Sequence, residues 1–261
     1  MDTRAAFAAW RAKHARPAWK PVCGETKNAP RGQFGGSPLL AADDPWPYCK
    51  GCGQPMQFFL QIPLATLPAA FGARGEGILQ MFYCSEDAGT TCYTWEAFSG
   101  THVVRLLTAP AATAPHPDDL VPFPLRSIES WREIVDYPHP PEHADLGLVY
   151  HYQRRKNQVS VSCKAMGIEL RDLDIAAVSS PRGNVAETIA AAVHGDKLGG
   201  WPLWVQDVAY PACQECGRPM AYLLQLDSED HIPHMFGSIG CGHIMQCPDH
   251  PHVLTFAWAC G

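Results

Sequence analysis

The sequence predicts an α+β chain, predominantly antiparallel β, built as an internally duplicated two-repeat unit with few short helices. Three observations carry that expectation. Twenty-four prolines and 22 glycines interrupt the 261 residues, which leaves little room for long helices. Short apolar runs rich in aromatic and β-branched residues recur between these breaks, and few helical stretches separate them to serve as parallel crossovers. A 27-residue stretch, 35–61, returns at 199–225 under one constant shift of 164 with 13 identities, which marks an internal duplication.

The first helix is expected over residues 2–15, where Phe7, Trp10 and His14 share one face behind the start signal Asp2/Thr3. Ile128, Trp131, Ile134 and Val135 share a face behind Ser127, so residues 127–136 are expected to be helical as well. Asn184-Val185-Ala186-Glu187 reads as a capping box opening a short helix through Val193. Strands are expected at 56–62, 77–83, 93–98, 102–107, 159–163, 220–226, 244–246 and 253–258. Residues 108–124 are expected to be irregular and to connect the repeats, as are residues 136–143. The resulting organisation is an N-terminal helix over 1–19, a first repeat over 20–107, a Pro-rich connection with a short helix over 108–149, and a second repeat over 150–261. The two repeats are expected to pack face to face.

Composition narrows the functional classes. A net charge of −6 and a pI near 6.0 argue against non-specific phosphate binding, which calls for a basic stripe, and favour a basic partner protein. Eleven cysteines in a chain this long suit metal clusters in a reducing cytoplasm better than a secreted disulfide scaffold. Ala5 to Trp10 is too short and too soon charged for a signal peptide, and no apolar run approaches the roughly 18 residues of a spanning helix.

The repeats carry the metal chemistry. Cys49-Lys50-Gly51-Cys52-Gly53-Gln54-Pro55-Met56 and Cys213-Gln214-Glu215-Cys216-Gly217-Arg218-Pro219-Met220 are CxxC knuckles, the spacing with which two thiolates reach one Zn²⁺. Cys84 and Cys92 bracket a polar loop that follows a strand, so Cys49, Cys52, Cys84 and Cys92 make a four-thiolate site. If Cys84 and Cys92 were ordinary buried thiols, the first CxxC pair would have no partners. In the second repeat Cys247 stands at the place of Cys84, shifted by 163. His250 is preferred as the fourth ligand beside Cys213, Cys216 and Cys247, with His252 as the alternative and the loss of an intact second site as a third possibility. Cys260 lies a strand length from the loop, about 20 Å, and Cys241 stands some six residues up the preceding strand. Cys23 and Cys163 belong to no cluster and are expected to be plain thiols. Two structural zinc ions are thus expected, because four protein ligands leave no open position for a reacting water.

The remaining repeated residues are expected to be structural. Gly35-Gly36 and Gly199-Gly200, each followed by x-Pro, suggest backbone turns needing positive φ or close approach. Gln61 and Gln225 inside apolar strands suggest satisfied hydrogen-bonding plugs. Trp46, Trp201 and Trp204 are either core lids or exposed anchors, and His194 is expected to be structural. Neither GxSxG nor HExxH occurs, so no catalytic residues are assigned and no enzyme is expected.

Phe34-Gly35-Gly36-x-Pro38, Cys49-x-x-Cys52-Gly53-x-Pro55-Met56, Leu60-Gln61 and His194-x-x-Lys197-Leu198-Gly199-Gly200-x-Pro202-x-Trp204-x-Gln206 resemble the YwqG-like family of bacterial proteins. The wording is also similar to the eukaryotic programmed-cell-death-two and Tsr-type proteins, and the likeness covers the chain from about Lys20 to Gly261. Many YwqG-like proteins lack the CxxC pairs, so the zinc reading rests on this sequence and on the eukaryotic relatives. The resemblance implies a duplicated antiparallel β fold that binds proteins. It points first to an immunity protein that neutralises a bacterial toxin by occluding it, and second to a dedicated chaperone of a basic ribosomal protein. A small-molecule-binding or enzymatic role is third.

Overall fold

The computed structural model describes residues 3–24, 32–86, 92–109, 112–153, 158–163, 168–173 and 192–261. The predicted helix over residues 184–193 falls almost wholly outside them. The chain opens with helix α1 (Thr3–His14) and runs directly into β1 (Arg16–Gly24). Trp10 anchors the helix: it is buried, its indole N–H donates to the Leu146 carbonyl at 2.9 Å, and its ring lies 4.9 Å from that of His14.

Short strands follow: β2 (Gln33–Phe34), β3 (Leu39–Leu40), β4 (Gln57–Pro63), β5 (Ile78–Tyr83), β6 (His102–Leu107) and β7 (Ala112–Thr113). The long strand β8 (Arg126–Asp136) and the short helix α2 (Pro140–His143) lead to β9 (Leu148–Gln153), β10 (Gln158–Cys163) and β11 (Ile168–Leu173). The last four strands are β12 (Lys197–Gly199), β13 (Ala221–Asp227), β14 (Cys241–Gln246) and β15 (Leu254–Ala259). The described chain is therefore mostly antiparallel β with two helices, as the sequence predicts.

Ten strands form one sheet in the order β15-β14-β13-β12-β1-β8-β2-β4-β5-β6. The pair β1/β8 lies at its centre, flanked on one side by β2 and on the other by β12. Registers repeat across this centre with the offset of 164: Phe34 pairs Leu60 where Leu198 pairs Leu224, and the register shift at Phe58/Leu60 returns at Tyr222/Leu224. The two halves thus lie in one sheet on either side of β1 and β8, and the faces they turn inward pack on one another. The sheet curls until its outermost strands touch. His102 on β6 lies 3.1 Å from the Thr255 hydroxyl on β15 and accepts the Phe256 N–H at 3.3 Å, while Phe98 N–H donates to Thr255 Oγ1 at 2.9 Å. Within the curl, Phe34, Phe59, Leu60 and Tyr83 from one half pack with Leu224, Phe236, Ile244 and Phe256 from the other.

Two elements correct the sequence reading. Residues 127–136 form strand β8, not a helix, because nearly the whole length of β1 pairs with it, from Arg16 with Asp136 to Gly24 with Ser127. Tertiary pairing overrides a 3.6-residue pattern carried by β-branched residues. Residues 93–98 form turns: Thr94 N–H donates to Cys92 O, Glu96 N–H to Tyr93 O, and Phe98 adopts φ 59°. The stretch is aromatic because Trp95 meets Trp258 across the seam, with ring centroids 6.4 Å apart.

The repeated glycines and glutamines act as the sequence predicts. Gly35, Gly36, Gly199 and Gly200 all have positive φ, and a Cβ on Gly200 would sit 2.4 Å from Asp136 Oδ2. Gln61 Oε1 accepts the Leu39 N–H and Gln225 Oε1 the Leu203 N–H, each at 2.9 Å. Each buried amide fastens the segment entering a knuckle to the strand leaving it.

Candidate metal centres

Each knuckle is a tight turn held by its own backbone. Cys49 N–H donates to Gln54 O and Gly53 N–H to Cys49 O; the same pair of bonds joins Cys213 to Arg218 and Gly217 to Cys213. Gly53 and Gly217 supply the positive φ, 72° and 69°, that turns the chain into the following strand. Hydrogen bonds to sulfur orient the first thiol, from Gly51 N at 3.3 Å and from Glu215 N at 3.4 Å.

The connection after the second strand of each half delivers the other two ligand atoms. Cys84 follows β5, and Cys92 stands in the β5–β6 connection well before the next strand begins. Cys247 follows β14, and Cys247 N–H donates to Val253 O across a turn that carries His250. In the first cluster the sulfurs of Cys49 and Cys92 are 3.6 Å apart, Cys52 and Cys84 3.6 Å, and Cys84 and Cys92 3.8 Å. In the second, Cys216 and Cys247 sulfurs are 3.7 Å apart, and His250 Nδ1 lies 3.8 Å from Cys213 and 3.7 Å from Cys247. In each set of four, all ligand atoms lie within 4.8 Å of one another.

These separations discriminate between chemistries. A disulfide needs about 2.05 Å between sulfurs, and the sulfur separations of 3.6 to 3.8 Å are far from that. Sulfurs on a tetrahedron with metal–sulfur bonds of about 2.3 Å stand about 3.8 Å apart, which is what both clusters present. The structure thus brings together two sets of four donors that suit a metal ion. His250 takes the eighth place, whereas His252 points outward to Glu215, 2.7 Å away, and is 69% exposed. Cys241 faces His243 at 3.8 Å and Cys260 lies beside Gly237, so neither joins a cluster.

Electrostatics among the thiols show what a cation would relieve. Burial raises the Cys213 thiol, but N–H groups of Cys216 and Glu215 outweigh it and hold the thiol at about 6. Burial and neighbouring thiols push Cys92 up to about 11 and raise Cys84 further. One thiolate forms readily and suppresses ionisation of its neighbours, and a dication removes that repulsion. Glu215 was missed by sequence reasoning: its carboxylate lies 3.6 Å from His250 Nε2, opposite the nitrogen that faces the sulfurs. A carboxylate behind a ligand imidazole fixes its tautomer and orientation. Its position inside the second CxxC was the available signal.

Trp46 and Trp204 are lids over these clusters, whereas Trp201 is buried elsewhere, its indole N–H donating to the His14 carbonyl at 2.8 Å. Trp46 donates its indole N–H to Met56 O at 2.9 Å and packs on Phe82. Trp204 and Tyr210 both donate to Glu142 Oε1 at 2.7 Å, tying α2 to the second knuckle. A third group, Asp196, Asp230 and His231, is close enough to hold a cation. It is better described as an ion pair, since His231 Nδ1 lies 2.9 Å from Asp196 Oδ2. Burial lowers this imidazole, but hydrogen bonds to Asp196 and Cys23 outweigh it and raise it to about 10, so its nitrogens are occupied by protons. Among the described residues no helix is long and apolar enough to cross a membrane.

Comparison with known proteins places this arrangement in a family. A 34-residue stretch is 53% identical to the uncharacterised protein YpfL of Salmonella typhimurium; the match covers 13% of this chain and 8% of that protein, so it speaks for a local motif alone. Residues 32–254, which include both clusters and the central strand β8, match the family model described as a domain of unknown function, DUF1963. The chain belongs to the DUF1963 family.

Proposed function

We propose that this chain is a zinc-stabilised protein-binding protein that performs no chemistry at its metals, and that it neutralises a bacterial toxin by occluding it. The observation that carries the reading is closure: each cluster offers four protein donors at tetrahedral spacing, so the metal has no vacant position at which to activate water. Zinc is the metal we assign, because thiolate and thiolate–imidazole tetrahedra suit it. The repeated register supports a YwqG-like duplication, and the unpaired thiols suit a reducing cytoplasm.

The contact surface we assign lies beside the first knuckle. Tyr48, next to Cys49, is 54% exposed, and Tyr93, next to Cys92, is 59% exposed with its ring against Trp95. Aromatic side chains on a rigid support make effective interface anchors, and a chain of net charge −6 suits a basic partner. Co-expression with the product of the neighbouring gene tests the reading. Rescue of growth with a stable complex is expected, its association slowed by salt and its dissociation hastened by Tyr93→Ala. Absence of both rescue and complex overturns toxin neutralisation; a complex with a basic ribosomal protein instead would assign the chaperone role.

A further inference from the structure

Six rings from four separate stretches of the chain form a continuous aromatic band across the seam where β6 meets β15. Tyr93 lies 5.3 Å from Trp95, Trp95 6.4 Å from Trp258, and Trp258 6.0 Å from Phe236. Phe236 then lies 5.0 Å from His234, which lies 6.5 Å from Phe123. Trp258 N–H donates to Trp95 O at 3.3 Å and fastens the crossing. Phe236 is buried and forms the floor, while Tyr93 and Trp95 stand exposed. Apolar side chains left in solvent flank the rings: Val121 and Leu125 stand on either side of Phe123, and Met235 lies between His234 and Phe236. Ile239, 74% exposed with φ 55°, sits on the turn that Gly240 N–H closes onto Phe236 O at 2.7 Å. A β-branched residue at positive φ is strained, and asparagine or glycine fits that backbone better. An apolar side chain kept there against both solvent and backbone preference points to a use for it.

We propose that this band is a docking surface for a short apolar and basic segment of a partner protein. The proposal rests on the protein-binding reading and carries its contact surface from Tyr93 across the seam to Phe123. Charge decides the kind of partner. Burial keeps the His234 imidazole uncharged, at about 4, so the rings bring no positive charge of their own. The stretches 93–98, 117–126 and 227–240 contain Arg126 as their sole lysine or arginine, yet they place Glu96, Asp118, Asp119 and Glu229 in solvent. The one further cation there, His231, is matched by Asp196 at 2.9 Å. Apolar side chains of the partner segment cover the rings, and its lysines or arginines lie along them on apolar stems and reach these carboxylates. A second copy of the chain suits the surface less well, because it sets the same carboxylates against one another.

Fluorescence anisotropy on the full chain tests it with three labelled peptides: one of alternating leucine and lysine, one with glutamate in place of lysine, and one with serine in place of leucine. The leucine–lysine peptide should bind at least about ten times more tightly than either counterpart. Trp95→Ala and Ile239→Asn should each weaken it at least about fivefold. Ile239→Asn should also leave the melting temperature unchanged or higher, which separates lost affinity from lost fold. Val135→Asn, at an exposed apolar position on β8 away from the band, should leave affinity unchanged. Equal binding of the three peptides, or an equal loss in Val135→Asn and Ile239→Asn, overturns the proposal. So does a dimer in sedimentation that Ile239→Asn dissociates, which assigns the band to a second copy. The proposal and toxin neutralisation fail separately: growth rescue that persists in Ile239→Asn and Trp95→Ala sinks the band alone, whereas peptide selectivity without rescue supports the band and sinks toxin neutralisation.

Discussion

Converting the first knuckle to Cys49→Ser/Cys52→Ser removes two donors from one cluster and leaves the other untouched. The sulfur separations of 3.6 to 3.8 Å already match a zinc tetrahedron with an edge of about 3.8 Å, so binding requires almost no rearrangement. Sites of this kind hold zinc with an apparent free energy of about 10–16 kcal/mol at neutral pH, which predicts retention through gel filtration. Elemental analysis of protein prepared without added metal should therefore give about two equivalents of zinc, and the double variant about one. The loss should destabilise the first half chiefly, seen as new protease sensitivity around residues 49–56 and 84–101, while the second knuckle stays protected. A folded native chain with no zinc, or with disulfides at these cysteines, refutes the reasoning. So does loss of both equivalents from the single-knuckle variant, which would mean that the clusters are not independent.

The buried pair of Lys197 and Asp136, both 0% exposed and 2.7 Å apart, should respond asymmetrically. Asp136→Ala strands an ammonium and the N–H groups of Val193 and Trp201, costing about 3–5 kcal/mol, or a fall in Tm on the order of 10 °C. Lys197→Met leaves the carboxylate its two backbone donors and should cost clearly less; equal losses in thermal denaturation count against this account. Stability should also fall on acidification. Burial holds His102 at about 4 and His243 at about 3, so their stabilisation is complete above the unfolded value near 6.5 and is lost as pH falls towards 4, by on the order of 3 kcal/mol for His102. His231, raised to about 10, works in the other sense: its contribution is complete below pH 6.5 and is lost as pH rises towards 10. Urea denaturation across pH 4 to 10 should show a maximum near neutrality, and a monotonic profile would contradict both assignments.

Local chemistry was readable directly from the chain. The CxxC-G-x-P-M wording specifies a thiol pair on a turn whose glycine must take positive φ, and such requirements involve only neighbouring residues. Seven of the fifteen described strands, β4, β5, β6, β10, β13, β14 and β15, were legible for the same reason, since each is a short run of strand-forming residues between turn signals. The choice of β8 over a helix was not, because Ile128, Trp131, Ile134 and Val135 suit either period and only the presence of β1 decides between them. The fourth ligand of the second cluster was likewise left between His250 and His252; which imidazole turns inward depends on how the β14–β15 connection folds back and where Glu215 stands. Packing also decided that Trp46 and Trp204 are lids, and that the sheet curls until β6 meets β15. The contact of His102 with Thr255 is a further case: the two lie 153 positions apart, and no periodicity or spacing connects them. Residues that share a turn announce their chemistry in sequence, whereas residues that share only a location in space do so once the chain between them has folded.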